Sequence, residues 1–157
     1  MAGGMQTNGT KELEAMLSKL GESATKVGKG ALYEGARVVA DAYTAAVGKI
    51  HVAARRWHEE PGGRLPTKEE RESLHIGIAR FRTDVSEVST LVGVDDGYTV
   101  VNGREKATKL IARSINSGTS FMKKQPVFRN AASSSRSAAQ EAMVRKADEM
   151  IEELVIH

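Results

Sequence analysis

The chain has no cysteine among its 157 residues, which excludes a disulfide framework and any thiolate-held metal. Aromatic residues make up only 4% of it, as one Trp, three Tyr and three Phe, little for a protein that would stack nucleic-acid bases. No apolar run approaches the ~20 residues that a membrane-spanning helix needs. The opening Met1-Ala2-Gly3-Gly4-Met5 lacks the basic and apolar regions of a signal peptide. The expectation is a soluble, unexported protein with no membrane partner, assembling in a cytosol.

Catalytic patterns are also missing. Gly21 to Gly30 has a phosphate-loop flavour, but six residues separate Gly21 from Gly28 where four are needed, and Gly30 stands where a Mg²⁺-binding Ser or Thr belongs. His51 and His58 lie seven apart with Glu59 and Glu60 nearby, without an i,i+4 His pair or a third metal ligand. The Ser133-Ser134-Ser135-Arg136-Ser137 run reads as helix-capping chemistry, since no base pairs with any of its hydroxyls. No enzyme activity, catalytic residue, metal or cofactor is expected.

The length suits one domain, and 40% hydrophobic residues suffice for a core. Residues 1–9 read as a flexible N-terminus. Thr10 reads as the N-cap of a short helix over 11–20 with Leu13, Met16, Leu17 and Leu20 on one face, ended by Gly21. Leu32, Ala36, Val39, Tyr43, Ala46, Ile50, Ala53 and Trp57 alternate at steps of four and three, predicting a long helix over 24–58. Gly28, Gly30, Gly35 and Gly48 each cost it about 1 kcal/mol relative to Ala, so packing must hold it, against the rest of this chain or against a second copy.

Pro61-Gly62-Gly63 stops that helix and opens a loop over 61–72, in which Thr67 and Glu70 form a capping-box signature for one helical turn. Leu74, Ile76 and Ile78 alternate with polar or small residues, and after a turn at 83–86 a second alternation places Val88, Thr90, Val92 and Val94 on one face. That predicts a hairpin with one buried side. A second loop spans 95–104, with a third short strand at 98–101 and a turn at Asn102-Gly103. A helix over 105–115 carrying Leu110, Ile111 and Ile115 and ended by Gly118 follows, then a loop and hinge over 117–130. A last helix begins at Ala131 or Ser133 and runs to 155, with Ala139, Met143, Ala147, Met150 and Leu154 on one stripe. The fold class is α+β: a long N-terminal helix and a C-terminal helix packed on a small antiparallel β-hairpin sheet.

The formal net charge of +3 conceals a division. Residues 101–136 hold eight basic residues against Glu105, a net of +7, whereas residues 137–157 hold two basic and five acidic residues, a net of −3. The acidic charges sit at a helix C-terminus, where the macrodipole is already negative. A basic segment and an acidic helix end on one chain can meet across copies.

Residues 115–131 concentrate the unusual chemistry. Gly118-Thr119 makes a loop, Lys123-Lys124 a basic step, and Gln125-Pro126-Val127-Phe128 a hinge into the last helix. Pro126 fixes its own φ and drives Gln125 toward an extended conformation, while Phe128 supplies an apolar anchor. A recognition helix does not follow the helix at 105–115, so a helix-turn-helix reading fails.

These pieces resemble the small neck, or tail-completion, proteins of long-tailed double-stranded DNA bacteriophages. The matching elements are Gly9-Thr10-Lys11-Glu12-Leu13, Ser117-Gly118-Thr119, Gln125-Pro126-Val127-Phe128-Arg129 and the helix to Leu154, in an order covering nearly the whole chain. The sequence departs from the family where a Thr-Gly-x-Leu element is common: it has Gly62-Gly63-Arg64-Leu65, followed by an inserted Pro66 to Arg71.

The resemblance implies a structural virion protein that joins head to tail as a homo-oligomeric ring between head connector and tail tube. The implied partners are further copies of itself, head-closure proteins, and tail-tube or tail-terminator proteins, with genomic DNA passing nonspecifically through the lumen. By motif matching the implied interface residues are Gly118, Thr119, Gln125, Pro126, Phe128 and Arg129, and the basic step adds Lys123 and Lys124 as candidates for the same interface. The alternatives are a small nucleic-acid-binding accessory protein and a tail-terminator-type virion protein.

Overall fold

The computed structural model describes residues 8–54, 59–60, 63–84, 87–101 and 103–156. The fold is α+β. One helix, α1, spans Asn8–Gly48 in 41 residues, roughly 60 Å at 1.5 Å per residue. The two expected N-terminal helices are thus one; Asn8 and Gly9, expected in a flexible terminus, and Thr10, expected as a cap, are helical, while residues 1–7 fall outside the described residues. Gly21 does not end it: no positive φ occurs there, and helical glycine costs only about 1 kcal/mol. The helix also stops earlier than periodicity suggested. Ile50 and Ala53 continue the apolar spacing but lie past Gly48, in a segment held by other parts of the chain, while Trp57 and His58 fall outside the described residues.

The second long helix, α4, spans Val127–Ile156. It begins four to six residues before the expected Ala131 or Ser133, so the hinge is shorter and Phe128 belongs to the first turn. The carbonyl of Pro126 accepts from the Asn130 N–H at 3.0 Å, which places proline where a missing N–H costs nothing. α4 runs antiparallel to α1. Tyr43 meets Phe128 edge to face at 5.5 Å, Gly35 faces Ala139 and Met143, and Gly30 faces Met150. A Cβ on Gly35 would come within 2.5 Å of Met143 Cγ and 3.3 Å of the Ala139 carbonyl. The helical glycines that looked like a close-approach seam are, at 30 and 35, filled by this chain's own α4.

Between the long helices in sequence lie short elements in antiparallel pairs: β1 (Glu59–Glu60) with β2 (Gly63–Arg64), β3 (Ile76–Ile78) with β6 (Val92–Val94), β4 (Arg82–Thr83) with β5 (Val88–Ser89), and β7 (Tyr98–Val101) with β8 (Arg104–Ala107). The expected hairpin is present but broken. Between the Ile78–Val92 pair and the Arg82–Ser89 pair stand three residues on one side and two on the other, a bulge that interrupts the ladder and turns Leu91 outward. Leu74 is buried but precedes the strand.

The expected loop over 95–104 is mostly the β7–β8 hairpin, and β8 takes residues assigned to the following helix. That helix, α3, is Thr108–Ser117. The capping box at Thr67–Glu70 heads the short α2, Lys68–Glu72.

The core gathers where α1 ends. Ile50, Leu74, Ile111, Ala112, Ile115, Met122 and Phe128 are buried together, with Tyr43, Val47 and Val127 packed against them. At equal rise per residue, α4 ends about level with Ala24 of α1, so the first turns of α1 extend past it. Leu17 and Leu20 there are 58% and 65% exposed. No helix among the described residues is long and apolar enough to cross a membrane.

Candidate functional site

Residues 117–129 connect α3 to α4. Gly118 caps α3 at φ +75°, and a Cβ there would stand 2.9 Å from that of Lys124, so glycine is required by both conformation and space. Thr119 then closes a turn on itself: its Oγ1 accepts from the N–H groups of Phe121 (3.2 Å) and Met122 (2.9 Å), and its own N–H donates to the Met122 carbonyl at 3.0 Å. This is the local side-chain turn that threonine offers.

The chain next runs beside Arg64. The Arg64 N–H donates to the Phe121 carbonyl at 2.8 Å and the Lys123 N–H donates to the Arg64 carbonyl at 3.0 Å, a parallel bridge of Arg64 with Met122. Gly63, at φ +118°, lets the backbones come this close, since a Cβ would be 2.8 Å from the Phe121 oxygen.

The Arg64 guanidinium forks onto Glu70, with Nη2 at 2.9 Å from Oε1 and Nη1 at 3.1 Å from Oε2. The Glu70 side chain has no solvent exposure. Its Oε2 also accepts from the Thr67 N–H at 3.2 Å, while the Glu70 N–H donates to Thr67 Oγ1 at 3.1 Å. A buried carboxylate needs such a bidentate, fully bonded setting. The stretch Gly63 to Arg71 thus builds the wall against which residues 121–123 lie.

Gln125 fastens the other side. Its Nε2 donates to the His51 carbonyl at 3.0 Å, its Oε1 accepts from the His51 N–H at 2.9 Å, and its backbone N–H donates to the Ile115 carbonyl at 2.7 Å. The buried side chain therefore completes the backbone bonding of a segment that belongs to no helix or strand. Asn116 acts as a cap from outside α4: its Oδ1 accepts from the Arg129 N–H at 3.1 Å, occupying one of the free donors of the first turn.

The eight expected interface residues are brought into one region but divide by exposure. Gly118, Gln125 and Phe128 work inside the fold, and the Thr119 hydroxyl is bonded within its own turn. Pro126 and Lys123 are half-buried, and Lys124 and Arg129 face solvent. Phe121, which the motif matching passed over, is 79% exposed beside them.

Sequence reasoning also missed Arg64, Asn116 and the His51 backbone. The capping-box spacing pointed to Glu70, but nothing local pairs it with Arg64. Among the described residues no group of His, Asp and Glu is arranged to hold a metal.

A cleft of about 640 Å³ opens beside this region. Tyr43, Val92, Val94 and Phe128 supply apolar lining, Lys109, Arg113 and Asn116 of α3 form one wall, and Leu91, Asp95 and Asp96 lie on the sheet side. Lys109 is ion-paired with Asp96 at 2.6 Å. No family model matches this chain, and no curated protein or solved structure matches it.

Proposed function

We propose that this chain is a structural protein of the bacteriophage neck, a tail-completion or head–tail joining component that forms a ring between head connector and tail tube. The reading is carried by the Ser117-Gly118-Thr119 and Gln125-Pro126-Val127-Phe128-Arg129 elements, whose resemblance to that family is supported by what they do physically. They fix the start of a long helix to within a few hydrogen bonds and leave Phe121, Lys124 and Arg129 outward on a rigid support. A protein that works by fitting surfaces together needs such a support; it needs no reactive group.

A second reading, a nucleic-acid-binding accessory protein, is favoured by the +7 charge of residues 101–136. One pair of measurements separates the two. In the neck reading, a Lys124→Glu, Arg129→Glu protein stays folded but fails to complete virions, and the wild type binds duplex DNA only weakly, with affinity lost steeply as salt rises. Sequence-preferring DNA binding at physiological salt, abolished in a double variant that still joins heads to tails, would replace the neck reading with the second.

A further inference from the structure

We infer that the end of α1 that projects past α4 pairs, antiparallel and about a two-fold axis, with the same segment of a second copy of this chain. α1 starts at Asn8 and α4 stops about level with Ala24, so about 16 residues of α1, roughly 24 Å, project beyond it. Leu17 and Leu20 in this stretch are 58% and 65% exposed, and the apolar positions 13, 16, 17 and 20 share one helical face.

That face continues a seam already in use. Leu13, Leu17, Leu20, Ala24, Val27 and Ala31 follow at alternating steps of four and three, and one further step of four reaches Gly35, where α4 packs against α1. α4 lies antiparallel to α1 along the seam and then stops. A second antiparallel helix prolongs the same packing.

The projecting stretch fits its own copy. Turned end for end about a point between Met16 and Leu17, it sets Leu13 level with Leu20 of the second copy and Met16 level with Leu17, so each apolar position meets an apolar one. The charges agree with this register. Glu12 and Lys19 lie on the same flank of the apolar face, and Glu12 of each copy comes within about two residues, roughly 3 Å along the axis, of Lys19 of the other. Residues 8–23 carry Lys11 and Lys19 against Glu12, Glu14 and Glu22, 2 minus 3, a net of −1, too little to hold two copies apart or to draw a polyanion. A helix that lies on a membrane carries Lys and Arg on its polar face and Trp or Phe on its apolar one; this stretch has no aromatic residue and more acidic than basic ones. The turned copy also brings the N-terminus of its α1, the positive end of a helix dipole, to the end of α4 where Glu152 and Glu153 stand.

A two-fold contact joins a surface to itself and closes at two copies. It is separate from the ring contacts of the neck reading, and neither depends on the other.

With no native cysteine, every disulfide must come from introduced residues. Single variants of the full chain are mildly oxidised over a concentration series. Leu17→Cys, beside the axis, should join to itself, whereas two Leu20→Cys residues stand seven positions apart across the axis, roughly 10 Å, too far for a disulfide. Leu13→Cys mixed with Leu20→Cys, on chains tagged for size, should give the mixed product over either self-pair. Leu20→Cys joining to itself as well as Leu17→Cys does would mean a parallel pair and overturn the inference. So would equal cross-linking of Ser18→Cys, which is exposed on the opposite face.

Sedimentation equilibrium supplies an independent arm. The wild type should be a dimer, and Leu17→Asp with Leu20→Asp, both changes at exposed positions, should be a monomer of unchanged helical circular dichroism. Lys19→Glu should weaken the dimer about fivefold, as a reversed pair occurring twice, and Glu12→Lys added to the same chain should restore it. A wild type monomeric up to its solubility limit, a dimer indifferent to these changes, or a monomer that floats with phospholipid vesicles instead would overturn the inference.

Discussion

Gln125 gives both ends of its side-chain amide to the backbone of His51, 74 positions away, donating to the carbonyl at 3.0 Å and accepting from the N–H at 2.9 Å. The pair ties the start of α4 to the segment that leaves α1. Because the amide replaces a backbone partner, Gln125→Leu would leave two backbone groups without partners. The expected loss is about 1 to 3 kcal/mol, that of one fully buried unsatisfied group and not of two, because His51 itself is exposed and water can reach its backbone, measured as a fall in urea midpoint at unchanged slope.

The Arg64–Glu70 pair should behave asymmetrically. Glu70→Leu strands the partly buried Arg64 charge and removes the acceptor of the Thr67 N–H, at a cost of about 3 kcal/mol. Arg64→Met combined with Glu70→Leu should recover part of that loss, because the unpaired charge is then gone. A double-mutant cycle measures the coupling, and strictly additive losses would show that the fork contributes nothing of its own.

Two glycines of α1 should respond in opposite directions to alanine. Gly21 has nothing within 4 Å of a built Cβ, so Gly21→Ala should stabilise by up to about 1 kcal/mol through helix propensity alone. Gly35 meets Met143 and the Ala139 carbonyl, and overpacking there costs about 1 to 3 kcal/mol, which exceeds the propensity gain. Thermal unfolding of both variants decides whether packing or propensity governs the seam.

The two phenylalanines of the junction differ in the same way. Phe128 is buried against Tyr43 and the core, and Phe128→Ala should cost about 3 to 5 kcal/mol. Phe121 is exposed, and Phe121→Ala should change stability by less than about 0.5 kcal/mol. Any assembly defect of Phe121→Ala would then report a lost surface contact and not a lost fold.

How much of this was legible in the sequence depends on the range of the interaction. The α+β class, the helix cap at Thr67, the Tyr98–Val101 strand and the glycine stop at Gly118 follow from local patterns and are present. The continuity of α1 through Gly21 was not legible, because a lone glycine permits a stop without enforcing one. β8 was hidden by its composition: Arg104-Glu105-Lys106-Ala107 reads as helix, and only pairing with β7 makes it a strand.

At the site, the special geometry of Gly118 and the hinge at Pro126 could be read directly. The Gln125 clamp on His51 and the Arg64 fork on Glu70 could not, since each depends on a partner brought in by the tertiary fold. Leu17 and Leu20 read as part of a one-sided apolar face, and they stay exposed because α4 ends before it reaches them.

The proposed neck role is tested most directly by deleting this reading frame from the genome that carries it and examining the resulting lysates by electron microscopy. The account predicts DNA-filled heads and full-length tails lying separate, converted to joined particles when the purified wild-type chain is added back. Joined, infectious particles in normal number without the chain would contradict it.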